Sequence, residues 1–495
     1  MLRSGFLLLL SLLLAPACLA VNYYFDFNAN CRKAYHQFMS LRPEEGRELL
    51  DLERQQHPDN LIPAYLESYG ECLQLLFNGT APEYTAWKAH SEQRMELIGK
   101  GNDQEPWYRF CKAGLCLQQA LVHLRFGDNF RATTQFRRSF LLLKENKQLF
   151  PDFEENKVLL GLETAMAGAI PDNYKWIGSV FGVRGNISKG VASIVAYLQA
   201  HPEGQTPLYD EAAIYYCYLK FYLLSGQEQA WEFVNSTAFQ QPDNLLRCFI
   251  TANLALNYRK ADLALNLLRS PAVRDAADRY PILHYELGEA LLFRLDHSCL
   301  AAYERFTHLD KGKHFVKDAW QKMAWMAYLQ QDKKQVDHCL QQIPVNGTLL
   351  TDADKQAQRF ASKPSWPPRS LLEIRLLIDG GYTQKALNKI QAIPKESLTS
   401  TAERLEYNFR YGRIFEELNN PGKALLFYTA TVQAGRRETT HFAARAALQM
   451  GFIYEKQNNK EEAIRCYKDC LSMRDHDFQS SIDQQAKAGL NRLEN

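Results

Sequence analysis

Beyond its first twenty residues, the 495-residue chain has no apolar run approaching the ~20 residues that a membrane-spanning helix requires. It also lacks a charge excess, with 58 basic residues against 56 acidic ones and a net charge of +2. That balance excludes the single-sign field that draws a protein to nucleic acid or to an anionic membrane surface. Alternating strand-like runs are nearly absent. So are catalytic signatures: there is no H-E-x-x-H, no G-x-S-x-G elbow and no dinucleotide fingerprint. The stretch VFGVRGNISKG at 180–190 contains Gly, Ser and Lys, but not in the G-x-x-x-x-G-K-[ST] order of a phosphate loop. No strand pattern precedes it, and a tight turn between closely crossing helices is its expected role. His284, His314 and His338 have no carboxylate or cysteine at ligand spacing, so neither a metal nor a cofactor is expected. The chain reads as non-enzymatic.

Eleven cysteines are present, none in a C-x-x-C pair. Cys466 and Cys470 share a helical face at a spacing that suits a disulfide poorly. Most sit in apolar helical settings, such as AIYYCYLKF around Cys217, where a small buried hydrophobe is expected.

The first twenty residues follow secretory-signal grammar. Arg3 precedes the apolar stretch FLLLLSLLL at 6–14, and small residues follow at Ala15, Ala17 and Ala20. Cleavage after Ala20 is the preferred reading. The other makes Cys18 a lipid acceptor, although Pro16 sits where lipoprotein signals usually carry a small or β-branched residue. The expectation is an exported chain, periplasmic or secreted, touching a membrane only through a lipid on Cys18. Sequons at Asn78, Asn186, Asn235 and Asn346 bear on function only where a glycosylation machinery exists.

What fills the sequence from residue 31 onward is helical periodicity, with apolar residues three and four apart. Breakers recur between the periodic segments: Pro43, Pro58, Pro151, Pro202, Pro242, Pro271, Pro344, Pro394 and Asn420-Pro421-Gly422. Short helices at regular intervals predict stacked helical hairpins. Near the C-terminus the spacing becomes specific. Gly412, Phe415, Ala424 and Tyr428 recur as Gly451, Tyr454, Ala463 and Tyr467, and the turns EELNNPGKAL and EKQNNKEEAI also match. Two helices approach closely only where one contributes little volume and a large neighbour fills the remainder.

On these residues the chain resembles the tetratricopeptide-repeat (TPR) family, most clearly over 405–472. The resemblance implies an all-α solenoid of stacked antiparallel hairpins in a right-handed superhelix. Carried backwards, the spacing finds further anchors at Tyr218, Ala252, Gly288, Ala324 and Ile374. Around Gly288 the second helix fits one residue early, through Cys299 and Tyr303. Most intervals lie near the family's ~34-residue period. The step from 324 to 374 is longer and contains Pro364, Pro367 and Pro368, so it reads as an insertion joining two sub-arrays.

The expected organisation is a signal at 1–20, an irregular helical region at 21–205 and degenerate repeats at 206–345. A Pro-containing insertion at 346–369 and C-terminal repeats with a capping helix at 370–495 complete it. Within the irregular region, residues 34–56 and 107–144 read as hairpins. Residues 171–199 look distantly like the glycine-containing hairpin of the tetratricopeptide-39 and Iml2-type proteins.

The family geometry places first-helix residues on a concave face that binds other proteins or peptides. Here it would expose Phe409, Arg413, Glu416, Arg445, Leu448, Phe452 and Glu455. The family's carboxylate-clamp subgroup uses Lys and Asn where this chain has Phe409 and Arg413, so chaperone-tail capture by that mechanism is not expected. The leading functional expectation is a protein-interaction scaffold or adaptor of the cell envelope. The alternative is a solute- or glycan-binding envelope lipoprotein with a pocket drawn from Trp87, Trp107 and Trp176. A third reading places an enzyme site within the first two hundred residues.

Overall fold

Each hairpin turn is written into two residues. In both C-terminal repeats, the first Asn of the Asn-Asn pair takes a left-handed backbone (Asn419 φ 52°, Asn458 φ 60°), which asparagine tolerates better than most residues. The second Asn caps the following helix: Asn420 Oδ1 accepts from Lys423 N at 3.1 Å, and Asn459 Oδ1 from Glu462 N at 3.3 Å. Gly127 (φ 79°) with Asp128, and Gln331 (φ 61°) with Asp332, repeat the device. Leu41, Arg259, Leu295 and Gly381 also adopt positive φ between paired helices. The N-terminal hairpins that fall outside the sequence register therefore share the turn geometry of those inside it.

The computed structural model describes residues 22–169, 185–203, 206–224, 226–241 and 243–494. Among them are 25 α-helices and no named β-strand. The two expected N-terminal hairpins form as Ala29–Met39 with Pro43–Gln56 and as Pro106–Arg125 with Asn129–Leu149. The register copies become Tyr209–Leu223/Gln227–Val234, Leu245–Asn257/Ala261–Leu268, Ile282–Phe293/Cys299–Leu309 and Val316–Leu329/Lys333–Val345. Arg369–Asp379/Thr383–Gln391, Thr401–Glu417/Pro421–Gly435 and Phe442–Lys456/Lys460–Ser472 follow, and Gln479–Glu494 forms the expected capping helix. Helices pack mainly on their sequence neighbours, which is the signature of a stacked array. All ten described cysteines are buried and free, as small core residues.

Two features depart from a simple stack. The N-terminal hairpins lie across the middle repeats, not beyond them. Tyr35 Oη donates to Glu211 Oε2 at 3.1 Å, Tyr280 Oη donates to the Leu41 carbonyl at 2.7 Å, and Phe77 packs edge-on against Phe249 and Tyr280. One apolar core accordingly runs from Phe25 to Leu376, and separate clusters hold the C-terminal repeats. Further along, the turn after Leu245–Asn257 meets the turn after Arg369–Asp379. Ala261 N donates to the Gly380 carbonyl, Tyr382 Oη to Asp262, and Arg259 pairs with Glu417. The first two contacts skip two hairpins and the third skips three, and together they draw the array around an inner wall.

The stretch 346–369 is more structured than an insertion between sub-arrays suggests. It contains the helix Asp352–Ser362, packed on Val316–Leu329. The fully buried Asp354 accepts from the backbone N–H groups of Phe315, Lys317 and Asp318 at 2.8, 3.0 and 3.2 Å. It thereby satisfies donors that the start of that helix would otherwise leave unpaired. Trp366 stacks on Tyr328 at 4.4 Å. The chain between the sub-arrays thus acts as an extra helical layer.

The glycine reading of 180–190 holds where the structure describes it. The helices Asn156–Gly168 and Ile187–Ala200 cross so closely that a Cβ on Gly190 would lie 2.4 Å from the Gly161 carbonyl oxygen. The signal at 1–20, Cys18 and Trp176 lie outside the described residues, as do residues 171–184 of the tetratricopeptide-39-like stretch.

Candidate functional site

The inner wall of the C-terminal repeats is set by one steric lock per hairpin. A Cβ on Gly412 would sit 2.4 Å from Tyr428 Cε1, and one on Gly451 would sit 2.3 Å from Tyr467 Cε1. Both rings are fully buried, as are Ala424 and Ala463 beside them. Phe415 and Tyr454 pack half-buried against the same core. The degenerate copy at Gly288 uses Tyr303 in the same way, at 2.6 Å, which bears out the one-residue offset read from sequence. Each tyrosine hydroxyl then donates to a glutamate on the first helix: Tyr428 to Glu416, Tyr467 to Glu455, and Tyr303 to Glu289. Rotation of each first helix, and hence which residues face inward, is fixed by this lock.

The lock redistributes the expected partner-facing set. Phe409 and Leu448 are core residues at 5% and 0% exposure. Phe409 packs between Tyr428 and Phe442, and Leu448 lies among the apolar residues of the same cluster. Glu416 and Glu455 are engaged by the tyrosines, and Arg492 of the capping helix grips Glu455 through two hydrogen bonds of 2.8 Å. Phe452 packs edge-on against Tyr467 at 5.8 Å. Arg413 is buried and paired with Glu416 and Glu417. Arg445 is half-buried, and no hydrogen-bond or ion-pair partner meets it among the described residues.

Arg445 stands among other arginines. Burial and the charges of Arg413 and Arg259 lower its pKa. Arg375, two hairpins earlier, has its pKa lowered by burial although its side chain keeps 42% of its accessible surface. Its guanidinium covers the Trp325 ring at 4.9 Å, and its one ion pair among the described residues, to Asp379, is long at 3.8 Å. Arg410 is held by Glu406 at 2.7 Å and lies over the rings of Phe409 and Phe442. His441, packed between Phe442 and Phe478, is held neutral: burial and the charges of Arg410, Arg375 and Arg445 push its pKa down to about 3.

Sequence reasoning missed Arg375, Arg410, His441 and Arg259. A signal for Arg375 was present, since it follows the anchor Ile374 as Arg413 follows Gly412 and Phe452 follows Gly451. Arg259 carried none, because its place at the wall depends on the pairing with Glu417 across three hairpins.

The aromatic pocket of the alternative reading does not form from its described members. Trp87 is buried against Tyr84 and His123, and Trp107 packs on Phe27, Phe110 and Phe153. Among the described residues, no group of three or more His, Cys, Asp and Glu side chains is placed to hold a metal ion. No described helix is long and apolar enough to cross a membrane.

Comparison with known proteins matches residues 444–477 to the tetratricopeptide repeat family. No curated protein matches the chain. Among solved structures, the human IFIT1 dimer with m7Gppp-AAAA aligns over 96% of this chain and 90% of that one, at 10% identity and a TM-score of 0.31. Yeast Tom70 aligns over 94% and 96%, at 12% identity and a TM-score of 0.28. Cut9–Hcn1 of the APC/C aligns over 93% and 96%, with the same identity and score. Superpositions this loose carry no argument about the present chain.

Proposed function

We propose that this chain, an all-α array with a tetratricopeptide repeat at residues 444–477, is a non-catalytic scaffold or adaptor of the cell envelope that receives protein or peptide partners on its inner wall. Arg445 is the observation that carries this reading. A guanidinium half-withdrawn from water, with arginines for neighbours and no counter-ion among the described residues, is costly for a protein to maintain unless something outside the chain completes it. The wall around it is pre-formed, because the glycine–tyrosine locks fix the helix rotations before any partner arrives. Pre-organisation of that kind lowers the entropy lost on binding. Exchanging chemistry for recognition also suits the absence of catalytic motifs from the sequence.

The envelope assignment rests on the signal grammar of the first twenty residues. Intact-mass analysis of the mature N-terminus tests it: a start at Val21 or a lipidated Cys18 supports export, and a retained Met1 overturns it. The binding reading is tested by affinity capture from the native envelope with the mature chain as bait. Recovery of no protein, together with saturable binding of a small ligand, would sink it.

A further inference from the structure

The two large apolar side chains that the fold leaves most exposed are Phe130 and Val345, at 80% and 74%. Far apart in sequence, they belong to two turns that the fold brings together. Leu124 and Phe130, both exposed, flank the turn at Gly127. A Cβ on Gly127 would lie 2.8 Å from Leu350 Cδ2, so the exposed pair Leu349 and Leu350 sits beside that turn. Val345 ends the helix that leads into the same loop. A third loop closes the patch. Thr348 N donates to the Lys313 carbonyl at 2.9 Å, Lys311 N donates to Asn78 Oδ1 at 2.9 Å, and a Cβ on Gly312 would lie 2.7 Å from Arg125 Nη2. Single exposed residues such as Leu52 need no explanation, but an apolar patch marks contact with a protein or a membrane.

We propose that this patch seats the folded chain on an anionic phospholipid surface, with Phe130 and Leu349 entering the apolar layer and a lysine rim meeting the headgroup phosphates. Lys311 and Lys313 are exposed on the third loop. Lys88 lies 4.2 Å over the Tyr84 ring, which stacks at 4.4 Å on Phe126 of the hairpin turn. Among the described residues no ion pair engages these three lysines. The acids nearby are otherwise occupied: Asp128 pairs with Arg131, Asp352 pairs with Lys355, and Asp310 is buried. Glu83 is turned back onto the Thr80 amide and hydroxyl at 2.8 and 2.7 Å. Composition decides between the two partners. Protein-binding surfaces concentrate Trp, Tyr and Arg and are poor in Lys, and their strongest contacts are seldom Leu or Val. Here aliphatic tips and one Phe stand inside a lysine rim, which suits acyl chains and point-charge contact with phosphate. The near-neutral chain supplies no long-range pull, so the lysines act only within a Debye length, about 10 Å. The inference goes beyond the partner-binding reading and needs neither the inner wall nor a lipid on Cys18.

Co-sedimentation of the mature chain with vesicles tests it. Vesicles of phosphatidylcholine alone are compared with vesicles in which about one lipid in three is phosphatidylglycerol. The parent should bind the anionic vesicles more tightly, and added salt should weaken that binding. Phe130→Ser/Leu349→Ser and Lys311→Gln/Lys313→Gln should each lower the affinity at least about tenfold. Leu426→Ser, which alters an exposed residue elsewhere, should not. All these side chains are exposed, so urea midpoints should stay at the parent value. Insertion is read separately. The ten cysteines of the mature chain are buried, so an environment-sensitive thiol dye reports Phe130→Cys alone, and its emission should shift to the blue on anionic vesicles. The dye on Leu426→Cys should show no shift. Absence of vesicle binding, equal binding by the parent and both double variants, or a shift at residue 426 alone overturns the proposal. A shift at residue 130 that grows with protein concentration without lipid also overturns it and assigns the patch to a second copy. Loss of a captured protein with Phe130→Ser/Leu349→Ser in a lipid-free extract overturns it in favour of a protein partner.

Discussion

Gly451→Ala adds one methyl group to a helix interior and is expected to destabilise, although alanine is the better helix former. Gly to Ala in an exposed helix interior gains ~1 kcal/mol from propensity. At residue 451, however, the new Cβ would lie 2.3 Å from Tyr467 Cε1, where ordinary carbon contacts begin near 3.4 Å. Tyr467 has nowhere to go. Its ring is fully buried, its hydroxyl is bound to Glu455, and a Cβ on Gly489 would meet its other edge at 2.5 Å. Forcing a methyl into such a site costs ~1–3 kcal/mol, and so rigid a neighbour places the cost at the upper end, for a net loss of about 2 kcal/mol. Gly422→Ala provides the opposite sign within the same array. That residue is exposed near the start of the helix Pro421–Gly435, and its new Cβ would meet nothing nearer than Asn420 Oδ1 at 4.0 Å. It should stabilise by a few tenths to ~1 kcal/mol. Because repeat arrays can unfold in pieces, the readout is hydrogen-exchange protection of peptides within 442–472 and 421–435, beside the urea midpoint of the whole chain. A Gly451→Ala protein with undiminished protection over 442–472 would refute the lock.

Asp354→Ala should cost about 3 kcal/mol, since it leaves three backbone donors without their buried acceptor; exchange should rise first over 313–322, and an unchanged rate there contradicts the capping role. Glu286 sits 3% exposed with Asn253 as its hydrogen-bond donor, and burial raises its pKa from 4.5 to about 8. Its folded pKa is the higher one, so its stabilisation is complete below the unfolded value and is lost as pH climbs toward 8. At ~1.4 kcal/mol per pH unit the loss is at most about 5 kcal/mol, and urea midpoints of Glu286→Gln should fall less steeply between pH 5 and 8 than those of the parent. The ten described cysteines are buried and burial raises their pKa values, so native chain should react negligibly with Ellman's reagent while chain in urea releases its thiols. Rapid native reaction would contradict their role as core residues.

Local steric rules explain what the sequence made legible. The Gly–Tyr locks, the Asn-Asn turns and the two N-terminal hairpins each depend on residues within one hairpin, and each was readable. The fold over the middle repeats was not. Tyr35 meets Glu211 across 176 residues and Tyr280 meets Leu41 across 239, and no periodicity encodes such pairs. Asp354 hid for the same reason, as an acid in a stretch read as an insertion, with partners that lie 36 to 39 positions away. For the inner wall, Arg445 could be read and Phe409 could not. No acid lies three or four residues from Arg445, whereas Arg410 has Glu406 and Arg413 has Glu416 and Glu417. Phe409 and Leu448 occupy positions that the family geometry turns inward, but packing against Phe442 and the neighbouring hairpins captured them for the core.

The central claim is that the inner wall of this repeat array receives a protein partner. The direct measurement is quantitative affinity capture from the native envelope with three baits: the mature chain, the Arg375→Gln/Arg445→Gln double variant, and Leu426→Ser, which alters an exposed residue on a second helix. A protein enriched by the parent and by Leu426→Ser, and lost at least tenfold with the double variant, is the predicted result. Equal recovery by all three baits, or recovery by none, would contradict it.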